Sequence, residues 1–191
     1  MAGRQAKALS ASDIKDLLVY ASCTRPPRRN SVIVLLSAKA GLRAGEIANL
    51  TWDMVLDANG QINGLIELAD NAAKKCSGRS IPLHADLAAA LAAWRAIAPS
   101  CDHVIASERR GPMTALSIVV WFNRAFKNIG LQGCSSHSGR RTFVTRAARV
   151  VHKAGGSLRD VQLLAGHRSI QTTQGYIDGD SDAQRKLVAM I

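Results

Sequence analysis

A chain of 191 residues with 47% apolar side chains can bury a sizeable core and is too apolar for a disordered tail. Its formal net charge of +11 favours a polyanionic partner, nucleic acid first among them, although such charge also serves plain solubility. No apolar run approaches the ~18 residues that span a bilayer, and the basic start MAGRQAKALSASD lacks the apolar stretch of a secretory leader.

Residues 1–10 read as a loose lead-in and 11–191 as one domain. Ser10 with Asp13 forms a capping box, after which Ile14, Leu17, Leu18 and Ala21 mark one helical face. The stretch TRPPRRN breaks the pattern. Its Arg25, Arg28 and Arg29 suit backbone phosphates, or simply a solvated turn. Asn30 is placed to cap a buried helix through SVIVLLSAKA that Gly41 stops, and a short helix follows over about residues 44–50. Three strand-like pieces come next: DMVL, the turn DANG, then INGLIEL and GRSIPL flanking ADNAAKKCS. They predict a small three-stranded antiparallel sheet with a basic hairpin tip.

The remainder reads as helical. HADLAAALAAWRAIA ends at Pro99, Thr114 opens a helix that Gly130 stops, and a longer helix runs over about residues 138–153 to the Gly155-Gly156 break. Ser157 with Asp160 makes a second capping box, and that helix ends at Gly166. A short helix then carries Tyr176, and DAQRKLVAMI offers a last helix with Leu187, Val188 and Ile191 apolar. The fold class expected is α+β, mostly α-helical. Cys23, Cys76, Cys101 and Cys134 are dispersed without a CxxC pair, which suits reduced thiols in the cytoplasm. Cys134-x-x-His137 and Cys101-x-His103 have the look of zinc-ligand pairs, but their spacing yields no tetrahedral set and no metal is expected.

Five side chains stand out for chemistry. Arg43 precedes a short helix, and Glu46, three residues on, shares its face and can orient the guanidinium; a surface ion pair would look the same. His137 and Arg140 sit three apart at the start of the long helix, where the helix's positive end also suits a phosphate. A histidine there can pass protons at neutral pH, or merely cap the helix. His167 follows the helix stop at Gly166. Tyr176 is one of two tyrosines, and the other, Tyr20, adjoins an apolar helical face. A phenolate can attack phosphorus and conserve the bond energy as a covalent ester.

In the order GLRAGEI, a basic hairpin ending in RSIPL, HSGRRTFVT and LLAGHRSIQTTQGY, the chain resembles the tyrosine recombinase (phage integrase) family from near residue 10 to its end. The resemblance implies the DNA breaking–rejoining fold and a site-specific recombinase or integrase. Such an enzyme cuts and rejoins duplex DNA through a 3′-phosphotyrosyl bond, with no metal, nucleotide or other cofactor. Arg43 and Arg140 would clamp the non-bridging oxygens, His137 would act as general acid/base, His167 would bond the scissile phosphate, Tyr176 would attack and Glu46 would support. Lys74, or its neighbour Lys75, would protonate the leaving 5′-oxygen. Arg141 and Arg168, next to Arg140 and His167, join Arg25, Arg28 and Arg29 as candidate DNA contacts.

The family's separate N-terminal DNA-gripping domain has no counterpart in these residues, which predicts weaker DNA affinity. Gly139, at the third position of the family's HxLR pattern, predicts a looser helix start. The apolar tail suggests docking between protomers, or packing on its own domain. The partners expected are duplex DNA and a tetramer assembled on it, with a free protein that is monomeric and no membrane. Two alternatives remain: a type IB topoisomerase-like enzyme, and a non-catalytic DNA-binding module of the same fold.

Overall fold

The computed structural model describes residues 6–70, 72, 78–176, 185 and 188–191. Among them the architecture is mostly helical with one small antiparallel sheet. The first helix, α1 (Ala11–Ser22), begins at the expected capping box, where Ser10 Oγ accepts from the Asp13 amide and the Asp13 carboxylate accepts from the Ser10 amide. Its inward face is Ile14, Leu17 and Ala21.

The central helix is α2 (Pro27–Lys39), and it starts four residues earlier than a cap at Asn30 suggested. Proline at the first helical position loses nothing, because its missing N–H would have no intrahelical partner there. This draws Arg28, Arg29 and Asn30 into the first turn. Asn30 is a buried tether: its side-chain amide donates to Thr24 Oγ1 at 2.9 Å, and its Oδ1 accepts from Arg29. The run Val32 to Leu36 is enclosed on every side, because α1, α4 and α6 all pack on α2. A helix apolar all round can persist in water only at such a centre.

After α3 (Ala44–Asn49) the expected first strand is absent. Residues Trp52–Met54 form a 3-10 turn, and DMVL contributes only an isolated bridge from Leu56 to Ile62. Three apolar residues behind an aspartate do not by themselves choose between strand and turn; here Trp52, Met54 and Val55 are all buried, which a flat alternating strand would not allow. The turn at residues 57–60 forms as read, with the Asp57 carboxylate accepting from the Asn59 and Gln61 amides. The sheet has two strands among the described residues: β1 (Leu65–Leu68) and β2 (Arg79–Pro82), antiparallel, with Ile66 facing Ile81 and Leu68 facing Arg79.

Four helices and a short fifth complete the fold: α4 (Ala85–Arg95), α5 (Ala115–Asn128), α6 (Ser138–Val150), α7 (Leu158–Ala165) and α8 (Ile170–Gln174). Thr114 caps α5 through the Ser117 amide, and the Ser157–Asp160 box caps α7. Gly166 ends α7 in the left-handed region at φ 61°, where a Cβ would be strained. A second apolar cluster, Val144, Ala148, Val151, Val161 and Ala165, joins α6 to α7 and supports Tyr176. Half of the residues proposed for the tail helix, Leu187 among them, lie outside those described. No helix among the described residues is long and apolar enough to cross a membrane.

Candidate active site

The start of α6 is pressed onto α2 more closely than any side chain at residue 139 would allow. A Cβ on Gly139 would lie 2.9 Å from Ser37 Cβ and 3.1 Å from the Ser37 carbonyl carbon. The glycine that read as a loosened helix start is therefore a contact point. It seats the turn that carries His137 and Arg140.

Arg140 is 2% exposed. Its Nη1 donates to the Gly41 carbonyl at 2.7 Å and its Nη2 to the Ala165 carbonyl at 2.6 Å. Gly41 can present that carbonyl because it takes φ 67°, with the Phe143 ring filling the place of a side chain. A guanidinium has five N–H bonds; these two fix its plane. Burial, and then the neighbouring charge of Arg43, push its pKa down to about 10, so it stays cationic at neutral pH.

Arg43 immediately precedes α3, and the expected pair with Glu46 is present, Nη1 to Oε1 at 2.6 Å. The Glu46 carboxylate is 1% exposed and also accepts from the Arg43 amide at 2.9 Å. Burial by itself would raise its pKa. Hydrogen bonds and charge from Arg79 and Arg43 outweigh that and hold it below the ordinary carboxylate value.

His167 is buried in the turn after Gly166, with Nδ1 2.9 Å from Thr173 Oγ1. Its backbone is held on both sides, by the Gln162 carbonyl and by the Gln162 side chain. Desolvation first, then the charges of Arg140, Arg43 and Arg79, lower its pKa to about 4, so the ring is neutral under physiological conditions. Tyr176 sits just past the end of α8, in a turn closed by its amide on the Thr173 carbonyl. Its ring is half-buried and stacks on His167, with centroids 5.3 Å apart at 24°. The Arg141 guanidinium lies 5.8 Å from the tyrosine ring centre, and Thr145 Oγ1 donates to the Tyr176 carbonyl at 3.4 Å.

An open cavity of about 510 Å³ is lined by His137, Arg141, Tyr176, Ser135 and the end of α8. His137 is exposed, and its side chain makes no cap to α6, so neither a core nor a capping role accounts for it. Tyr20, by contrast, packs on Trp121, and its hydroxyl accepts from Asn128. A larger cavity of about 690 Å³, lined by residues such as Asn49, Asp53 and His103, contains none of the site residues.

The model of the phage integrase family matches residues 7–182. The chain belongs to the phage integrase family. It is 31% identical over 175 residues to tyrosine recombinase XerA of Thermococcus kodakarensis, which covers 89% of this chain and 57% of that protein. It is 27% identical over 158 residues to tyrosine recombinase XerC of Brucella suis, covering 80% of this chain and 47% of that one. The chain thus spans about half the length of the curated relatives it matches. Among solved structures it is similar to the XerA recombinase crystal structure, with a TM-score of 0.76 at 24% identity over 100% of this chain and 65% of the other. It is also similar to the Tn1549 transposon integrase in complex with a circular intermediate DNA, with a TM-score of 0.75 at 17% identity over 100% of this chain and 67% of that one. Likeness at these identities speaks for a shared fold.

Within this integrase-family fold the predicted residues divide. Arg43, Glu46, Arg140, His167 and Tyr176 are linked by direct contact or by mutual electrostatics, and His137 shares the tyrosine's cavity. Lys74 and Lys75 lie outside the described residues. Arg25, Arg28 and Arg168 are exposed, with Arg28 donating to the Ala93 carbonyl at 3.0 Å.

Arg29 corrects the reading of the basic loop. It is 6% exposed, with Nη1 on the Ala106 carbonyl at 3.0 Å and Nε and Nη2 on Asn30 Oδ1. Burial lowers its pKa, with Glu108 opposing the shift. It braces α2 from within and is not presented to DNA. Arg79 was missed altogether, because nothing in RSIPL marks an arginine that turns inward.

Proposed function

We propose that this protein is a site-specific DNA recombinase that cleaves and rejoins duplex strands through a 3′-phosphotyrosyl bond on Tyr176. The observation that carries this reading is the position of one phenol: it lines a cavity with His137, stacks on neutral His167 and interacts electrostatically with buried, cationic Arg140.

A phosphodiester resists attack because its anionic oxygens repel a nucleophile, and fixed cations meet that charge. Arg43 and Arg140 serve this role, already oriented before DNA arrives, so little reorganisation is needed at reaction. His167 Nδ1 lies 2.9 Å from Thr173 Oγ1; in the proposed tautomer Nδ1 accepts there, and the neutral ring carries its proton on Nε2 and offers it to a phosphate oxygen. The tyrosine oxygen attacks phosphorus while its proton passes to His137. The bond from phosphorus to the 5′-oxygen breaks, and that oxygen takes a proton from Lys74 or Lys75. Rejoining reverses these steps: a 5′-hydroxyl attacks the phosphotyrosine, and the tyrosine regains its proton. None of the steps calls for a metal or a nucleotide.

The partner is duplex DNA, held by Arg25, Arg28, Arg141 and Arg168 with a steep salt dependence. The tyrosine recombinases it is similar to, and the structures of a transposon integrase in complex with a circular intermediate DNA and of a lambda integrase dimer bound to a core site, support this class of partner. Assembly of several protomers on DNA, as a tetramer, and work in the cytoplasm where such DNA lies, complete the proposal.

The test uses a library of nicked duplexes randomised around the nick, so that a cleaved 5′ fragment escapes and the covalent complex accumulates. A denaturation-resistant protein–DNA adduct in the wild type, absent in Tyr176→Phe, is expected. Adduct in both proteins would move the nucleophile elsewhere. No adduct in either, with DNA still bound, would leave a binding module of this fold. Relaxation of supercoiled plasmid without recombinant products would assign the topoisomerase chemistry.

A further inference from the structure

Arg79 has no part in the steps above, yet its side chain touches α3, the end of α7 and the turn before His167. It opens β2, and its side chain is 6% exposed. Its terminal nitrogens grip the Glu46 carboxylate as a fork, Nη1 on Oε1 and Nη2 on Oε2, each at 3.1 Å. Its Nε donates to the Leu164 carbonyl at 2.8 Å, in the last turn of α7. The turn that follows is laid against the same guanidinium: a Cβ on Gly166 would come within 2.8 Å of Nη1.

Glu46 holds Arg43 through both side chain and backbone. Leu164 and Gly166 set the path of the chain into His167. One planar group therefore fastens α3, β2 and the α7–α8 turn together. A lysine would keep the charge, but as a single point without the fork. In the buried space beside Glu46 it could not reach both the carboxylate and the Leu164 carbonyl with the same geometry.

We infer that Arg79 is a positioning residue: it sets Arg43 and His167 at a fixed separation around the phosphate, and it does so without touching DNA. This rests on the phosphoryl-transfer reading above, and the experiment keeps the two apart.

The first arm uses Arg79→Lys on a nicked duplex recovered from the wild-type adduct. Adduct formation at saturating DNA slows about 10- to 100-fold, the scale of a misplacement near 1 Å. The DNA dissociation constant stays within about twofold, because no ground-state contact is lost. An unchanged rate overturns the inference. So does a weakened affinity with an unchanged saturating rate, which would make Arg79 a DNA contact.

The second arm needs no chemistry on DNA. In the free protein the His167 ring titrates near pH 4. In Arg79→Lys the charge remains while the turn loosens. Water then reaches the ring, and the titration followed by its proton resonance rises toward the ordinary 6.5. An unchanged titration overturns the inference, whatever the DNA assay gives.

If Arg79→Lys does not fold, the double variant Arg79→Met with Glu46→Gln removes the buried charge pair and goes through both arms. Wild-type rate and wild-type titration in that variant also overturn the inference. Absence of any adduct in the wild type counts against the proposed function alone, and the titration arm still decides for Arg79.

Discussion

Replacing Gly139 by alanine tests how tightly the helix that carries His137 and Arg140 is seated. The added methyl would meet Ser37 Oγ, its Cβ at 2.9 Å and its carbonyl carbon at 3.1 Å. The hydroxyl can rotate away, but Cβ is bonded directly to the buried backbone of α2 and the carbonyl carbon is part of it, so neither can move aside. Overpacking of this kind costs about 1–3 kcal/mol, while alanine in place of glycine inside a helix returns about 1 kcal/mol. The net expectation is a loss of about 1 kcal/mol, or a fall of about 2–4 °C in melting temperature for a domain of this size. The effect on chemistry should exceed that on stability, because the strain is relieved by moving the α6 start and with it Arg140. Adduct formation on nicked DNA is expected to slow about tenfold or more. A thermal melt and a single-turnover adduct assay measure the two effects. Ser37→Gly removes both offending side-chain atoms, at about 1 kcal/mol for its own helix. Combined with Gly139→Ala it should cost less than the two changes summed, by a coupling of at least about 0.5 kcal/mol. The reasoning fails if Gly139→Ala melts at or above the wild type with an unchanged rate, or if the two changes are simply additive.

Three further predictions concern single side chains. The folded pKa of His167 lies near 4 against an ordinary 6.5, so the unfolded chain binds its proton first. Its neutral form contributes stability that is complete above pH 6.5 and is lost as pH falls toward 4, on the order of 3 kcal/mol. Denaturant melts across that window should show a steeper fall in wild type than in His167→Gln; parallel curves would refute the burial argument. Arg29→Met should lower stability by about 2–3 kcal/mol through its lost carbonyl and Asn30 bonds, with DNA affinity unmoved. Arg25→Ala should leave the melt unmoved, Arg28→Ala should cost at most about 1 kcal/mol for its exposed bond to the Ala93 carbonyl, and each should reduce the slope of log affinity against log salt by about one. An altered salt slope in Arg29→Met would return that residue to the DNA face.

What the sequence disclosed and what it hid follow a physical division. Helix starts at Ser10, Thr114 and Ser157 were legible because a cap is a local bond between residues three apart. The Arg43–Glu46 pair was legible for the same reason. Arg140, His167 and Tyr176 could be named because they fall in motifs whose order is itself a signal. Their burial could not be read, since Arg140 owes its pose to carbonyls 99 and 25 residues away. Arg29 misled because three basic residues beside two prolines resemble a solvated loop, whereas Pro27 opens a helix whose next turn faces inward. DMVL misled because so short an apolar run, with Met54 and Val55 buried, satisfies a 3-10 turn as readily as a strand. Gly139 was read for its freedom, and its value lies in its lack of volume.

The same division explains why the site is strained before any ligand arrives. Arg43, Arg79 and Arg140 gather around one carboxylate, Glu46, and are shielded from water to different degrees. Arg140 is pushed down to about 10 and His167 to about 4, by desolvation first and then by the neighbouring guanidinium charges. Packing alone would not favour such a surplus, and folding must offset its cost elsewhere, in the enclosed α2 and the two apolar clusters. A single phosphodiester between Arg43, Arg140 and His167 would supply the missing anion. In doing so it would turn the repulsion already present in the folded protein into a driving force for binding the group to be cut.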